Sequence, residues 1–268
     1  HPADAYAGYY TVSLRSEDID GPGSDYAPIG SGCLTLKMKS ASEINAGKMT
    51  WAGILPNGKS VSGTSILSEI EGGLAVLPFA KSVGYDWCAG AMGVRNGQVS
   101  QPHLDGFGAV KTIWEHVEKS RETTKGDYSI SFEPLGGLYD ESSSFLDYGS
   151  VRLMPFEVLL PDWNSDAYGT ILPVRPIWVE VAGNKMTILD QGGNENLIKL
   201  SFNRSNGSVS GSFKVFYEDE ITGTIKQIPA TYQGVVHQFD GCFECGHESD
   251  NLPFVEGFWM FSDKRGGG

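Results

Sequence analysis

The chain predicts an all-β protein built of two related antiparallel units, barrel-like or sandwich-like, and three observations predict it. Glycine supplies 35 of 268 residues while aromatics stay at 11%, a combination suited to many short strands joined by tight turns. Runs in which apolar and polar residues alternate recur about ten residues apart, as in hairpin-rich sheets. A strand–turn–strand pattern occurs twice, as LTLKMKSASEINAGKMTWAG (34–53) and IKLSFNRSNGSVSGSFKVFY (198–217), at a period far longer than that of a solenoid.

Taken in order, CLTLKMK (33–39) alternates cleanly, KMTWAGIL (48–55) follows a turn, and LAVLPFA (74–80) is more continuously apolar. Asn57-Gly58, Asn96-Gly97 and Asn206-Gly207 separate such runs, and Asn-Gly enters the positive-φ conformations of a hairpin turn at little cost. KTIWEHVEKSRETTKG (111–126) is the one stretch with helical character; its polar end reads more simply as a strand running into a linker. IWVEVAG, KMTILD, LIKLSFN, SVSGSFKVFY and VEGFWMF continue the strand pattern. The expected organisation is a first unit at 1–118, a linker at 119–127, a second unit at 128–264 and a flexible glycine tail at 265–268.

With 33 acidic against 20 basic side chains the formal charge is -13, which repels phosphate backbones and argues against nucleic acid as a partner. No run reaches the roughly 18 apolar residues of a membrane helix, so no membrane span is expected. The opening HPADAYAGYY lacks a basic start and a hydrophobic signal core, as expected of a mature, processed chain or a soluble fragment.

Gly211-Ser212-Phe213 in one strand, Gly234-Val235-Val236 with Gln238 in the next, and Gly241, Phe243 and Gly246 before an aromatic strand form a pattern. It resembles a β-rich module that recurs in large exported proteins of planctomycete and verrucomicrobial bacteria. GYYTVSL, GSGCLTLKM and the Trp114 strand fit as well, so the resemblance spans most of the chain. It implies an exported, periplasmic, cell-surface or extracellular protein of repeat-associated β architecture, and it lends no catalytic residues.

The stretch FDGCFECGHESD (239–250) raises three readings. A zinc site would draw on Cys242, Cys245, His247 and His237, but a structural zinc site uses two ligand pairs and only one Cys pair is present. A redox pair needs a helix N-terminus, which the flanking glycines oppose. The expected outcome is no metal at these four residues, and instead a stapled turn or buried free thiols. Four cysteines in an exported chain make disulfides natural, with Cys33–Cys88 and Cys242–Cys245 the pairing that keeps each bridge within one unit.

DIDGPGSD (18–25) and DWNSDAYG (162–169) space oxygen side chains two apart, which suits a hard cation such as calcium. The candidate ligands are Asp18, Asp20 and Asp25 in the first and Asp162, Asn164 and Asp166 in the second. Ala167 stands where a calcium loop has glycine and Pro173 where it closes with glutamate; the alternative is an ordinary solvated turn. No other cofactor is expected.

For catalysis, no nucleophile elbow, His-Glu-x-x-His motif or phosphate-cradling glycine loop occurs. His103 and His116 are the candidate bases, each expected in a loop or on an exposed strand face. A carboxylate pair for glycoside hydrolysis is a property of the fold and leaves no trace in sequence. Flat aromatic faces, from Tyr6, Tyr9, Tyr10, Trp51, Trp87, Trp114, Trp163, Trp178 and Trp259, suit the apolar faces of sugars, although most tryptophans of β proteins lie in cores. Trp163, in a polar loop with Tyr168 nearby, is the best ligand candidate, and Trp114 and Trp259 are expected inside. Three functional readings result. The first is a non-catalytic exported or cell-surface module for adhesion, scaffolding or assembly, its partners a glycan, a surface protein or further copies of itself. The second is a carbohydrate-binding module, with or without calcium, and the third a glycan hydrolase.

Overall fold

The computed structural model describes residues 2–22, 27–28, 31–40, 47–70, 74–84, 86–104, 108–117, 127–142, 151–153, 170–171, 177–182, 185–189, 196–219, 221–238 and 254–261. Strands dominate them, and every strand pair whose register is defined is antiparallel. The chain forms two compact units, His1–Asp140 with Gly234–Phe258, and Glu141–Gln233 with Trp259–Gly268.

After a 3-10 turn at Pro2–Tyr6, the first unit runs through β1 (Gly8–Asp20), β2 (Gly32–Met38), β3 (Lys48–Ile54), β4 (Ser60–Ile66), β5 (Ser68–Ile70) and β6 (Leu74–Val83). It continues with β7 (Asp86–Arg95), β8 (Gln98–Ser100), the small hairpin β9 (His103–Leu104) and β10 (Gly108–Ala109), then β11 (Thr112–His116) and β12 (Tyr128–Tyr139). The large sheet has the order β4-β3-β2-β1-β12-β11-β7-β6-β5. This is an up-and-down meander in which the last strand returns to pair with the first. Leu67 alone separates β4 from β5, the two ends of that order. It packs against the core, and its N–H donates to Gly47 O at 3.2 Å. The sheet therefore curls round, which protects edges that would otherwise invite pairing.

Period-two alternation decides what lies inside the curl. Tyr10, Val12 and Leu14 of β1, Leu34, Leu36 and Met38 of β2, Met92 and Val94 of β7, and Ile130 and Phe132 of β12 all join one buried cluster. Trp114 is 0% exposed, stacked on Phe132 at 6.2 Å and edge-on to Tyr128 at 5.6 Å. Trp51 meets Phe79 edge-on at 5.6 Å. A bulge between Ser16 and Asp18 shifts the parity of β1, so odd-numbered Ile19 packs on the same core as Val12 and Leu14.

The second unit contains β13 (Val151–Leu153), β14 (Thr170–Ile171), β15 (Ile177–Ala182), β16 (Lys185–Ile188), β17 (Lys199–Asn203) and β18 (Ser208–Asp219). β19 (Thr224–His237) and β20 (Phe254–Phe261) straddle the division between the units. β15 pairs with β13 and β16, and β18 pairs with β14, β17 and β19. Val209, Val215 and Tyr217 of β18 alternate into its buried face.

Three expectations change. The first unit does not end at 118: β12 pairs with β1 over nearly its whole length and belongs to the first unit, because that pairing buries Ile130 and Phe132. The two similar segments both form hairpins, but Leu34 faces Gly53 whereas Lys199 faces Ser212, so the second hairpin is shorter and the offsets do not match. Cys33 and Cys88 are free. They lie on β2 and β7, with β1, β12 and β11 between them. Cys88 points into the core, while Cys33 alternates with the core residues Leu34 and Leu36 and so faces outward.

Candidate functional site

The most site-like polar cluster centres on Asp86 at the start of β7, 1% exposed. The turn after β3 brings Lys59, whose Nζ donates to Asp86 Oδ2 at 2.6 Å, and Asn57, whose Nδ2 lies 3.3 Å from the same oxygen. The end of β11 brings His116, whose Nδ1 donates to Asp86 Oδ1 at 2.7 Å. The imidazole stacks on Tyr128 at 4.7 Å between ring centres. Burial, and then the Asp86 charge, hold the Tyr128 hydroxyl well above its ordinary range. Both carboxylate oxygens thus hold donors from two other segments, as a buried carboxylate requires. The arrangement ties β7, β11 and the β3–β4 turn together.

A second cluster lies on the outer face of β1. Thr11 and Ser13 point away from the core yet are 1% and 0% exposed, because residues 234–238 cross that face. Thr11 Oγ1 donates to Val236 O at 2.6 Å. Ser13 Oγ lies 3.2 Å from His237 Nε2 and 3.3 Å from Leu135 O. The Gln238 side-chain amide then grips the Asp140 backbone, accepting from its N–H at 2.7 Å and donating to its carbonyl at 3.0 Å.

The third cluster is the β18–β19 turn. Asp219 Oδ1 accepts from Ile221 N at 3.2 Å, Thr222 N at 2.9 Å and Thr222 Oγ1 at 3.0 Å, and Lys226 Nζ pairs with Oδ2. The Lys226 contact, then the Thr222 N–H, lower the Asp219 carboxyl to about 2. Gly223 takes the left-handed φ of 61° that closes the turn. The tip so fixed presents Ile221 at 91% and Ile225 at 66% exposure.

The residues singled out by sequence are scattered. Asp18 and Asp20 belong to β1 rather than to a loop, and the Asp18 carboxylate accepts from Lys111 Nζ at 3.2 Å. No group of three or more His, Cys, Asp or Glu suited to a metal occurs among the described residues. Asp25, Asp162, Trp163, Asn164, Asp166, Tyr168, Cys242, Cys245 and His247 lie outside the described residues, as do the side chains of Trp178 and Trp259. Of the remaining aromatics, Tyr6, Tyr10, Trp51 and Trp114 are buried, whereas Tyr9 and Trp87 are each 38% exposed. His103 sits exposed on β9. His116 is half-buried in the Asp86 cluster instead of lying free on a strand face. Asp86 itself is a residue that the sequence reading missed. Its signal is parity: it shares the inward alternation of Cys88, Met92 and Val94, and an acid on a core-facing register must have partners.

No family model, curated protein or solved structure matches the chain.

Proposed function

We propose that the chain is a non-catalytic β module of an exported or cell-surface protein, acting in adhesion, scaffolding or assembly. The observation that carries this reading is the β18–β19 tip, where an Asp219-centred hydrogen-bond network rigidifies a turn that presents Ile221 and Ile225 to solvent. Apolar side chains held in one geometry lose little entropy on docking, which favours contact with another surface. Two features support it. The curl of the first unit is filled by aliphatic, aromatic and methionine side chains, and the buried Asp86, Asp219 and His237 all hold structural hydrogen bonds. The resemblance to exported bacterial modules supports the location. The test compares the wild-type chain with the Ile221→Asp, Ile225→Asp double variant for binding to isolated cell-envelope material and to immobilised copies of the chain. We expect the variant to lose about tenfold or more in affinity; wild-type and variant retention that are equal, or absent in both, contradict the reading.

A carbohydrate-binding role is the second reading, and Trp87 favours it. The indole stands exposed on the outer face of β7 between its ladder neighbours Glu115 and Ser82, a flat apolar surface with polar groups on both sides. Quenching of the Trp87 fluorescence by oligosaccharides, lost in Trp87→Ala and repeated with and without calcium, is the result that this reading requires.

A further inference from the structure

Trp87 is one member of a row that crosses five neighbouring strands. On β6, β7, β11, β12 and β1 the ladder partners Ser82, Trp87, Glu115, Ser129 and Asp20 stand side by side. Their parity is opposite to that of the core-facing Cys88, Trp114, Ile130 and Ile19, so all five lie on the outer face of the sheet. At the usual strand separation the row spans about 19 Å. Ser82, Trp87 and Asp20 are exposed, and Glu115 and Ser129 are half-buried. The adjacent row puts Ala80 and Ala89 beside the indole, so Trp87 stands above its surroundings on that side. Lys111 is already held by Glu17 and Asp18, whereas the Glu115 and Asp20 carboxylates have no hydrogen bond or ion pair among the described residues.

We infer that this row binds a linear oligosaccharide bearing free amino groups, laid across the strands with one sugar ring on Trp87 and ammonium groups on Glu115 and Asp20. The inference rests on the carbohydrate reading and names the class of sugar. The indole takes the apolar face of a ring. Glu115 lies directly opposite in the ladder, about 5 Å away between Cβ atoms, where a carboxylate and an aromatic face together favour a cation. Asp20, three strands and about 14 Å from Trp87, meets a later sugar of the same chain. A neutral sugar would desolvate these carboxylates without a compensating charge, and a uronic or sulfated chain is repelled by them and by the net charge of -13. A basic peptide fits less well, because each of the five strands is paired on both sides and peptides dock on free edges or in grooves.

Calorimetric titration of the intact chain, at a pH that keeps the amines charged, tests the inference with five probes of equal length. These are a glucosamine oligomer, its N-acetylated form, a neutral glucan, a uronic acid oligomer and oligolysine. The glucosamine oligomer is expected to bind at least about tenfold more tightly than each of the others. Trp87→Ala should abolish that binding, and Glu115→Gln with Asp20→Asn should remove the preference over the N-acetylated form, each with an unchanged far-ultraviolet circular dichroism spectrum. Equal or tighter binding of the neutral or N-acetylated probe to the wild-type chain overturns the inference and leaves the carbohydrate reading standing. Tighter binding of oligolysine overturns it in favour of a basic peptide partner. Glucosamine binding that survives Trp87→Ala places the site elsewhere and overturns it as well. Absence of binding by every sugar overturns both the inference and the carbohydrate reading.

Discussion

Asp86 shows how one side chain commits several segments. Its carboxylate is buried while Lys59 remains 38% and His116 20% exposed at the side chain. Loss of the acid therefore frees two groups that can turn partly to water. Asp86→Asn is expected to destabilise the chain by about 1–3 kcal/mol in urea denaturation, the range for a lost buried hydrogen-bond partner, and more than His116→Ala does. Leu197 makes the opposite case. It holds a left-handed φ of 51° with its side chain 51% exposed, so Leu197→Gly removes backbone strain and sacrifices little packing. An increase of about 0.5–1 kcal/mol in stability is expected, read as a higher melting temperature. At this scale the sequence was partly legible. Asn96-Gly97 takes positive φ at both positions, as its residue types demand. Asn57 instead uses its side chain, accepting from Lys59 N at 3.0 Å and reaching Asp86, a role set by a partner that local sequence does not reveal.

Strands were the most legible elements, because a face buried on one side imposes a period of two that needs no tertiary knowledge. LTLKM, KMTWAGI and SVSGSFKVFY are each strands where alternation put them. DIDG was read as loop because aspartate and glycine favour turns, yet β12 lies alongside and the ladder extends β1 to Asp20. Close strand packing gives a sharp test at Gly136, where an added Cβ would lie 2.2 Å from Thr11 O and 2.8 Å from the Val12 Cα. Gly136→Ala must push β1 from β12 and is expected to cost about 1–3 kcal/mol, with faster amide exchange along β1. In the β18–β19 turn the lowered carboxyl of Asp219 sets an acid limit. A depressed folded value stabilises above the ordinary carboxylate range and is lost as pH falls through it, so the amides of Ile221 and Thr222 should lose protection from about pH 4 down to about 2.

For the whole molecule, the closure of the meander was the least legible feature. Ser13 and Leu135 face each other across 122 residues, and no local pattern selects that pairing over its alternatives. The domain boundary was misplaced for the same reason, and the disulfide expectation failed with it. Sharing a unit does not bring Cys33 and Cys88 together when they occupy opposite faces of non-adjacent strands. Burial raises both thiols to about 12 from an ordinary 9.0 and raises Tyr10 to about 12. In the folded chain these groups keep protons that the unfolded chain releases, so their contribution is full below about pH 9 and lost as pH rises towards 12. Urea midpoints should fall steadily across that window, and both thiols should resist alkylation at pH 8 in the native state.

The measurement that bears most directly on the central claim, that this chain works by contact rather than by turnover, is sedimentation velocity of the intact wild-type chain across a wide concentration range. It is run alongside the Ile221→Asp, Ile225→Asp double variant. The account predicts a larger species that grows with wild-type concentration and is reduced in that variant. A single monomeric boundary at every concentration, together with release of reducing ends from a glycan by the same preparation, would contradict it.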